Sequence, residues 1–485
     1  MRDWKEFLDR QVAEQSSGQE SPWRQSLEIP KTGPFPEEFL EASLEELGQL
    51  LRARTTSSEE LTLGYLGRIA EQNPDLGAYI AINPEVLEEA RARDRELREG
   101  VDRGPLHGIP ICLKDNLATS PPLPTTAGAA ALRGALADRD AFLVARLREA
   151  GAVILGKNNL SEWANYMSSR SVNGFSALGG YTRNPYGLYD VGGSSSGTAV
   201  AVAANLAAAG IGTETSGSLV YPASQNSLYT LKPTLGLLSR DRIIPITEAQ
   251  DTAGPMARHA RDLALLIEVL AVHDPSDPAT LRTLHRPTPL PHPLRVGRVA
   301  QLEREGDREA LDRIEQALKA LGAEVREIPP LQGEIEMHPV LRFGLREGVN
   351  AYLKATRAPV GSLKEVIDFN RAHPEAMPYG QDLLEASFAE PLSPEGYAAQ
   401  VAHNRRVGLQ ALRKAFAEVD VLMTVSNTLS SFTSTAGVPV LCLPAGRRPN
   451  GEPVGVSLID ELLTDRALIE LAQALEEALP LRQRP

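Results

Sequence analysis

The chain has 485 residues, 42% of them hydrophobic and 23% charged, an ordinary water-soluble composition with ample length for a large core. A net charge of −13 without any basic run argues against nucleic acid as a partner. No apolar run nears the roughly 18 residues of a membrane span, and Met1–Arg10 is too polar for a secretory signal, so a cytoplasmic protein without a membrane span is expected.

Met1 to about Phe39 is polar and carries Trp4, Trp23 and several prolines, and it reads as a peripheral extension of one helix and a wrapping arm. Ser43-x-x-Glu46 and Ser57-x-x-Glu60 are capping boxes, which open helices over Leu44–Arg54 and Glu59–Gln72. Asn83-Pro84 starts a third helix, to about Arg98, with Asn83 as its cap. Ile109–Leu113 is a short apolar run between turn residues, hence a buried strand with Lys114 at its end. Strand ends of α/β sheets are where sites collect. Cys112 and Cys442 sit in apolar contexts far apart and read as buried thiols.

Ala141–Ala150 is an amphipathic helix and Ala152–Leu155 the following strand. Gly151 to Lys157 therefore imitates a phosphate-binding loop without being one, since its interior is strand and Asn158 replaces the Mg-binding hydroxyl. Gly210-Ile211-Gly212 likewise lacks the third glycine of a dinucleotide fingerprint. His273–Pro293 reads as a surface loop. Beyond it, Leu294–Ala300, Asp307–Leu321 and Ala323–Ile328 read as strand, helix and strand. Helices fill Pro339–Phe416, Asp420–Val425 is a strand, and Asp465–Leu479 is the closing helix.

The most informative stretch is Gly192 to Pro222, where two Ser/Gly clusters flank the small-residue run Thr198–Ala209, read as helix. Ser218 follows Gly217 in a backbone able to offer several N–H donors. A serine beside such donors suits acyl transfer, which needs a nucleophile and partners for an oxyanion.

These segments resemble the amidase signature family. The matching motifs are Gly108-Ile109-Pro110 with Lys114-Asp115-Asn116, then Gly192 to Gly197, then Gly212 to Ser218 followed by Pro222-Ala223. The serine spacing also agrees with the family pattern. The resemblance implies an α/β fold, a large twisted mixed sheet covered by helices on both faces. It implies an N-terminal extension over 1–40 and one amidase domain over 41–485, with a signature core at about 105–260 and a helical, substrate-side region at about 335–418. It further implies hydrolysis of a linear carboxamide with Ser218 as nucleophile, Ser194 as a relay serine after a cis Gly193–Ser194 bond, and Lys114 as base. Thr215, Ser216 and Gly217 would line the oxyanion hole and bind substrate, with Ser195 and Ser196 supporting the turn. No cofactor and no metal are implied.

For Lys114 to take a proton it must be neutral, so burial has to lower its pKa from about 10.4. Lysine suits this because its pKa falls readily on desolvation, whereas arginine stays charged. Val220 stands where many members carry Arg, which disfavours an anionic substrate. Leu237 to Arg240, Gln250 to Pro255, and Phe369-Asn370 to Gly380-Gln381 resemble the peptide amidase and broad-specificity amidase subgroup, pointing to neutral peptide, aryl or alkyl amides. Gln250 to Pro255 itself reads as a structural turn. Two other readings stand beside this one. Gly193-x-Ser195-x-Gly197 fits the nucleophile elbow of an α/β-hydrolase esterase, with His259, His338, His373 or His403 as base. The chain could also be one component of a transamidation complex. Oligomeric state has no signal in the sequence.

Overall fold

Short Val- and Leu-rich runs build strands such as Val421–Val425, while Gly- and Ala-rich runs build Ala209–Glu214 and Thr252–Ala257. The computed structural model describes residues 4–16, 20–281, 290–299, 301 and 304–485. Its strands, in chain order, are β1 (Tyr79–Ile82), β2 (Pro110–Lys114), β3 (Val153–Asn158), β4 (Phe175–Ser176), β5 (Gly180–Tyr181), β6 (Ala209–Glu214), β7 (Tyr229–Lys232), β8 (Thr252–Ala257), β9 (Arg295–Val299), β10 (Glu324–Ile328), β11 (Val421–Val425), β12 (Val440–Arg447) and β13 (Pro453–Ile459). β4 and β5 pair with each other, and the rest form one 11-stranded sheet, ordered β1-β3-β2-β6-β8-β7-β12-β13-β11-β9-β10. The sheet is mixed: β2 runs parallel to both β3 and β6, β9 runs parallel to β10 and β11, and the remaining pairs are antiparallel.

Successive residues of a strand point to opposite faces, and both faces are covered. Val421, Met423 and Val425 pack with Leu468 and Ile469 of the helix Asp465–Ala478 and Ile314 of the helix Asp307–Ala320. Leu422 between them packs on the other face with Leu412 and Ala415 of the helix Pro394–Phe416. β9, the helix Asp307–Ala320 and parallel β10 form the expected βαβ unit. Residues 282–289 of the expected surface loop, and Ala300 of the expected strand, lie outside the described residues.

Both capping boxes form, Ser43 with Glu46 and Ser57 with Glu60, on helices Leu44–Ala53 and Ser58–Leu76. Asn83 is not a helix cap. Its Oδ1 accepts the Glu85 N–H at 3.0 Å and its Nδ2 donates to the Ile154 carbonyl at 3.0 Å, so it ends β1 and the helix starts at Val86. The run Thr198–Ala209 is also divided. Its helix, Ser196–Ala203, stops before Asn205, which is left-handed at φ 55°, and Ala209 already belongs to β6. Cys112 and Cys442 are buried free thiols. The N-terminal helix Trp4–Ser16 lies against the core: Gln11 is fully buried and its Oε1 accepts the Asn173 N–H at 2.6 Å.

Candidate active site

β2 and β6 are adjacent parallel strands, so their C-terminal ends open on the same edge. β2 ends at Lys114, whose side chain is completely buried. β6 ends at Glu214, and the chain turns through Thr215–Leu219 into the short helix Val220–Gln225. The Gly192–Ser195 turn enters the helix Ser196–Ala203 beside them.

Lys114 Nζ donates to Ser194 Oγ at 2.8 Å, to Thr213 Oγ1 at 2.9 Å and to the Thr213 carbonyl at 3.2 Å. The Gly193–Ser194 peptide is cis. Ser194 is fully buried and its carbonyl accepts the Ser161 N–H at 3.1 Å. Ser218 is 8% exposed, and its carbonyl accepts the Ser195 N–H at 3.3 Å, which holds the two serine turns together. Burial pushes the Lys114 ammonium down to about 7, against the opposing pull of the Asp251 and Glu214 carboxylates. Desolvation penalises the charged form, and here it outweighs two nearby anions.

Ser195 and Ser196 are held by backbone. Ser195 Oγ donates to the Thr213 carbonyl at 3.0 Å and accepts its N–H at 3.2 Å, and Ser196 Oγ donates to the Gly192 carbonyl at 2.6 Å. Of the four histidines read as a base for Ser195, His259 is bonded to the Glu41 carbonyl and to Glu476, His338 contacts Tyr166, His373 packs against Trp23 and Phe369, and His403 is exposed on the helix Pro394–Phe416.

One of the expected oxyanion donors is engaged within the chain. The Gly217 N–H donates to Glu214 Oε1 at 2.7 Å, while Oε2 accepts the N–H groups of Leu219 and Val220 at 2.8 and 3.1 Å. Glu214 thus caps the helix that follows Ser218, as an acidic side chain does at a helix start.

Three residues beyond the sequence reading shape the site. Thr213 anchors Lys114 with both its hydroxyl and its carbonyl, and its hydroxyl also accepts Asn116 Nδ2 at 3.0 Å. Glu214 does the capping just described. Asp251 Oδ1 accepts the Thr215 hydroxyl at 2.5 Å, and its Oδ2 accepts the N–H groups of Ile246 and Thr247 at 2.8 and 2.9 Å. Burial raises its carboxyl to about 6. Gln250 Nε2 bonds the Thr215 carbonyl at 3.3 Å, so the segment read as a structural turn in fact grips the residue after β6. Its match to the amidase subgroup marked the segment, but its residue types fit a turn and named no contact to Thr215. The phosphate-loop imitation is settled as well: Lys157 is a fully buried β3 residue, bonded to Thr125 Oγ1 at 2.8 Å and 3.5 Å from Asp115.

One large mixed sheet covered by helices on both faces makes this an α/β protein, with Lys114 and the two serine turns gathered at one edge of the sheet. The family model described as Amidase matches residues 60–435, and the chain belongs to that family. It is an amidase, a hydrolase acting on amides. It is 35% identical to a probable amidase of Arabidopsis thaliana, over 92% of this chain and 91% of that one. It is 32% identical to a glutamyl-tRNA(Gln) amidotransferase subunit of Acidothermus cellulolyticus, over 89% and 93%. The native peptide amidase of Stenotrophomonas maltophilia superposes with a TM-score of 0.85 at 37% identity, over 93% of this chain and 99% of that one.

Proposed function

We propose that the chain hydrolyses neutral carboxamides through an acyl-enzyme, with Ser218 as nucleophile, Ser194 as relay and Lys114 as base. The observation that carries this reading is the 2.8 Å bond from Lys114 Nζ to Ser194 Oγ in a buried site that lowers the lysine to about 7. A base works best with its pKa near the working pH. Ser218 Oγ attacks the amide carbon as its proton passes to Ser194, whose own proton passes to Lys114. The carbonyl oxygen becomes an oxyanion in front of the N–H groups of Thr215, Ser216 and Ser218, which Glu214 does not take. The relay then runs backwards and protonates the amine, which leaves as ammonia or a free amine. Water, deprotonated through the same relay, cleaves the acyl ester and restores Ser218.

The preference for neutral substrates rests on the cavity beside Thr213 and Thr215, of about 400 Å³. Ile243, Ile246, Phe343 and Tyr397 give it apolar wall, and Glu248 and Glu347 also line it. Arg240, the one cation lining it among the described residues, is committed to Asp277 at 2.7 and 2.9 Å. An anionic substrate would meet carboxylates and find no free positive charge. The peptide amidase neighbour supports peptide amides as the first class to try.

A fluorophosphonate probe followed by peptide mapping tests the chemistry. Labelling is expected at Ser218 and is expected to fall by at least about 10³-fold in Lys114→Ala, the scale of losing a member of a catalytic triad. Label at Ser195 overturns the assignment. A panel in which only anionic amides turn over overturns the substrate class. Relatives named as amidotransferase subunits raise a second reading, in which the chain works only within a complex. Ammonia release by the purified chain alone decides against it.

A further inference from the structure

Residues 182–195 reach the Ser194 turn without helix or strand, so no regular hydrogen-bond ladder fixes that turn against the helix Val220–Gln225 that follows Ser218. Much of the join is made by one side chain. Asp190 is 2% exposed. Its Oδ1 accepts the Gly192 N–H at 3.0 Å, Asn173 Nδ2 bonds both carboxylate oxygens at 3.1 Å, and Oδ2 accepts the Tyr221 hydroxyl.

Each donor belongs to a different piece of the site. Gly192 lies two residues before Ser194. Tyr221 lies three after Ser218, and its own N–H donates to the Gly217 carbonyl at 2.8 Å. The Asn173 N–H and carbonyl are held by Gln11 and Gln15 of the N-terminal helix, at 2.6 and 3.3 Å. The two turns touch backbone to backbone. Gly192 has φ +71°, and a Cβ there would sit 2.7 Å from Pro222 Cα. Asn226 Nδ2 stitches the same seam, to the Val191 and Pro222 carbonyls at 2.9 and 2.8 Å.

Among the described residues Asp190 makes no salt bridge. A buried carboxylate served only by neutral donors is a costly choice. It does what no neutral side chain of its size can do: two oxygens accept from three segments, whereas asparagine has one acceptor oxygen. We propose that Asp190 is a positioning residue for the amidase reaction, setting Ser194 against Ser218 by holding Gly192 and Tyr221 on one carboxylate. The inference rests on the roles proposed above for the two serines.

The test compares Tyr221→Phe, Asp190→Asn and Asp190→Ala with the wild type on an amide that the wild type hydrolyses. The readouts are kcat and KM, the rate of fluorophosphonate labelling at Ser218, and the melting temperature. Tyr221→Phe is expected to lower kcat and the labelling rate together by about 10-fold with KM little changed. Asp190→Ala is expected to lower them by about 10²-fold, the scale of a misplaced catalytic group. Asp190→Asn, which keeps one acceptor, is expected to fall between them. A purely structural role would lower the melting temperature and leave kcat per folded molecule intact, and that result overturns the proposal. Tyr221→Phe removes a single hydroxyl, so it decides the matter even if Asp190→Ala does not fold. Ser218→Ala is run in parallel: an active Ser218→Ala enzyme would sink the catalytic assignment itself, not the role of Asp190.

Discussion

Lys114 is useful as a base only while it is uncharged, and its surroundings pull both ways. Burial drives it down to about 7, and Asp251 and Glu214 pull it back up. The rate is therefore expected to rise through about pH 7 and level off above it, as Lys114 loses its proton. Asp251→Asn removes one of the two anions that favour the charged lysine. The rising limb of kcat/KM should then move to lower pH, by about one unit. A limb that stays in place, or moves up, would show that Asp251 acts only through its bond to Thr215. At this scale the sequence was half legible. Lys114, Ser194 and Ser218 stand in motifs whose order and spacing carry the resemblance, and the structure places Lys114 against Ser194. The residues that tune them were not legible. Thr213 reads only as one residue of the Gly212 to Ser218 motif, and Asp251 as part of a turn, because what they do depends on side-chain contacts across separate strands.

Elements form where local chemistry and tertiary packing agree. Ser43 and Ser57 announce their helices because a capping box is a local device, complete within four residues. Thr198–Ala209 misleads because a run of Ala and Val has no polar face from which to read a period. Its true boundary was marked only by Asn205, a residue that tolerates the left-handed conformation in which helices end. The helix Val220–Gln225 has no capping side chain at Leu219, and Glu214 on β6 supplies the acceptors instead. Glu214→Ala leaves three N–H groups without their carboxylate next to Ser218. It is expected to destabilise the protein by about 2–3 kcal/mol in urea denaturation. It should also slow labelling of Ser218, since Gly217 loses its anchor. Glu214→Gln keeps one oxygen acceptor and should recover part of both losses. Equal effects of the two substitutions would mean that the charge, and not the hydrogen bonds, holds the turn.

At the scale of the whole molecule, a side chain near the C-terminus braces the segments that follow Ser194 and Ser218. Near the C-terminus, Arg482 bonds the Ser227 carbonyl at 2.9 Å, just past the helix that follows Ser218, and the Ala203 carbonyl at 3.3 Å, at the end of the helix that follows Ser194. Its guanidinium also makes two 2.9 Å bonds to the Glu41 carboxylate. Burial alone would raise the Glu41 pKa, but Arg482 and Arg258 outweigh it and hold the carboxyl below its ordinary value. The unfolded chain therefore binds the Glu41 proton more readily than the folded one. The stability this pair contributes is complete above the ordinary glutamate range, near 4.5, and drains away as pH falls through the lower folded value. Arg482→Ala should cost about 2–3 kcal/mol at pH 7, the scale of losing charge-assisted bonds at a largely buried site. The gap to wild type should then narrow as urea denaturation is repeated at pH 5, 4 and 3, once Glu41 takes up a proton in both states. A gap that stays constant across that range would assign the effect to the Ser227 and Ala203 carbonyls, which do not titrate. The C-terminal segment would then act on the serine helices directly, and not through Glu41.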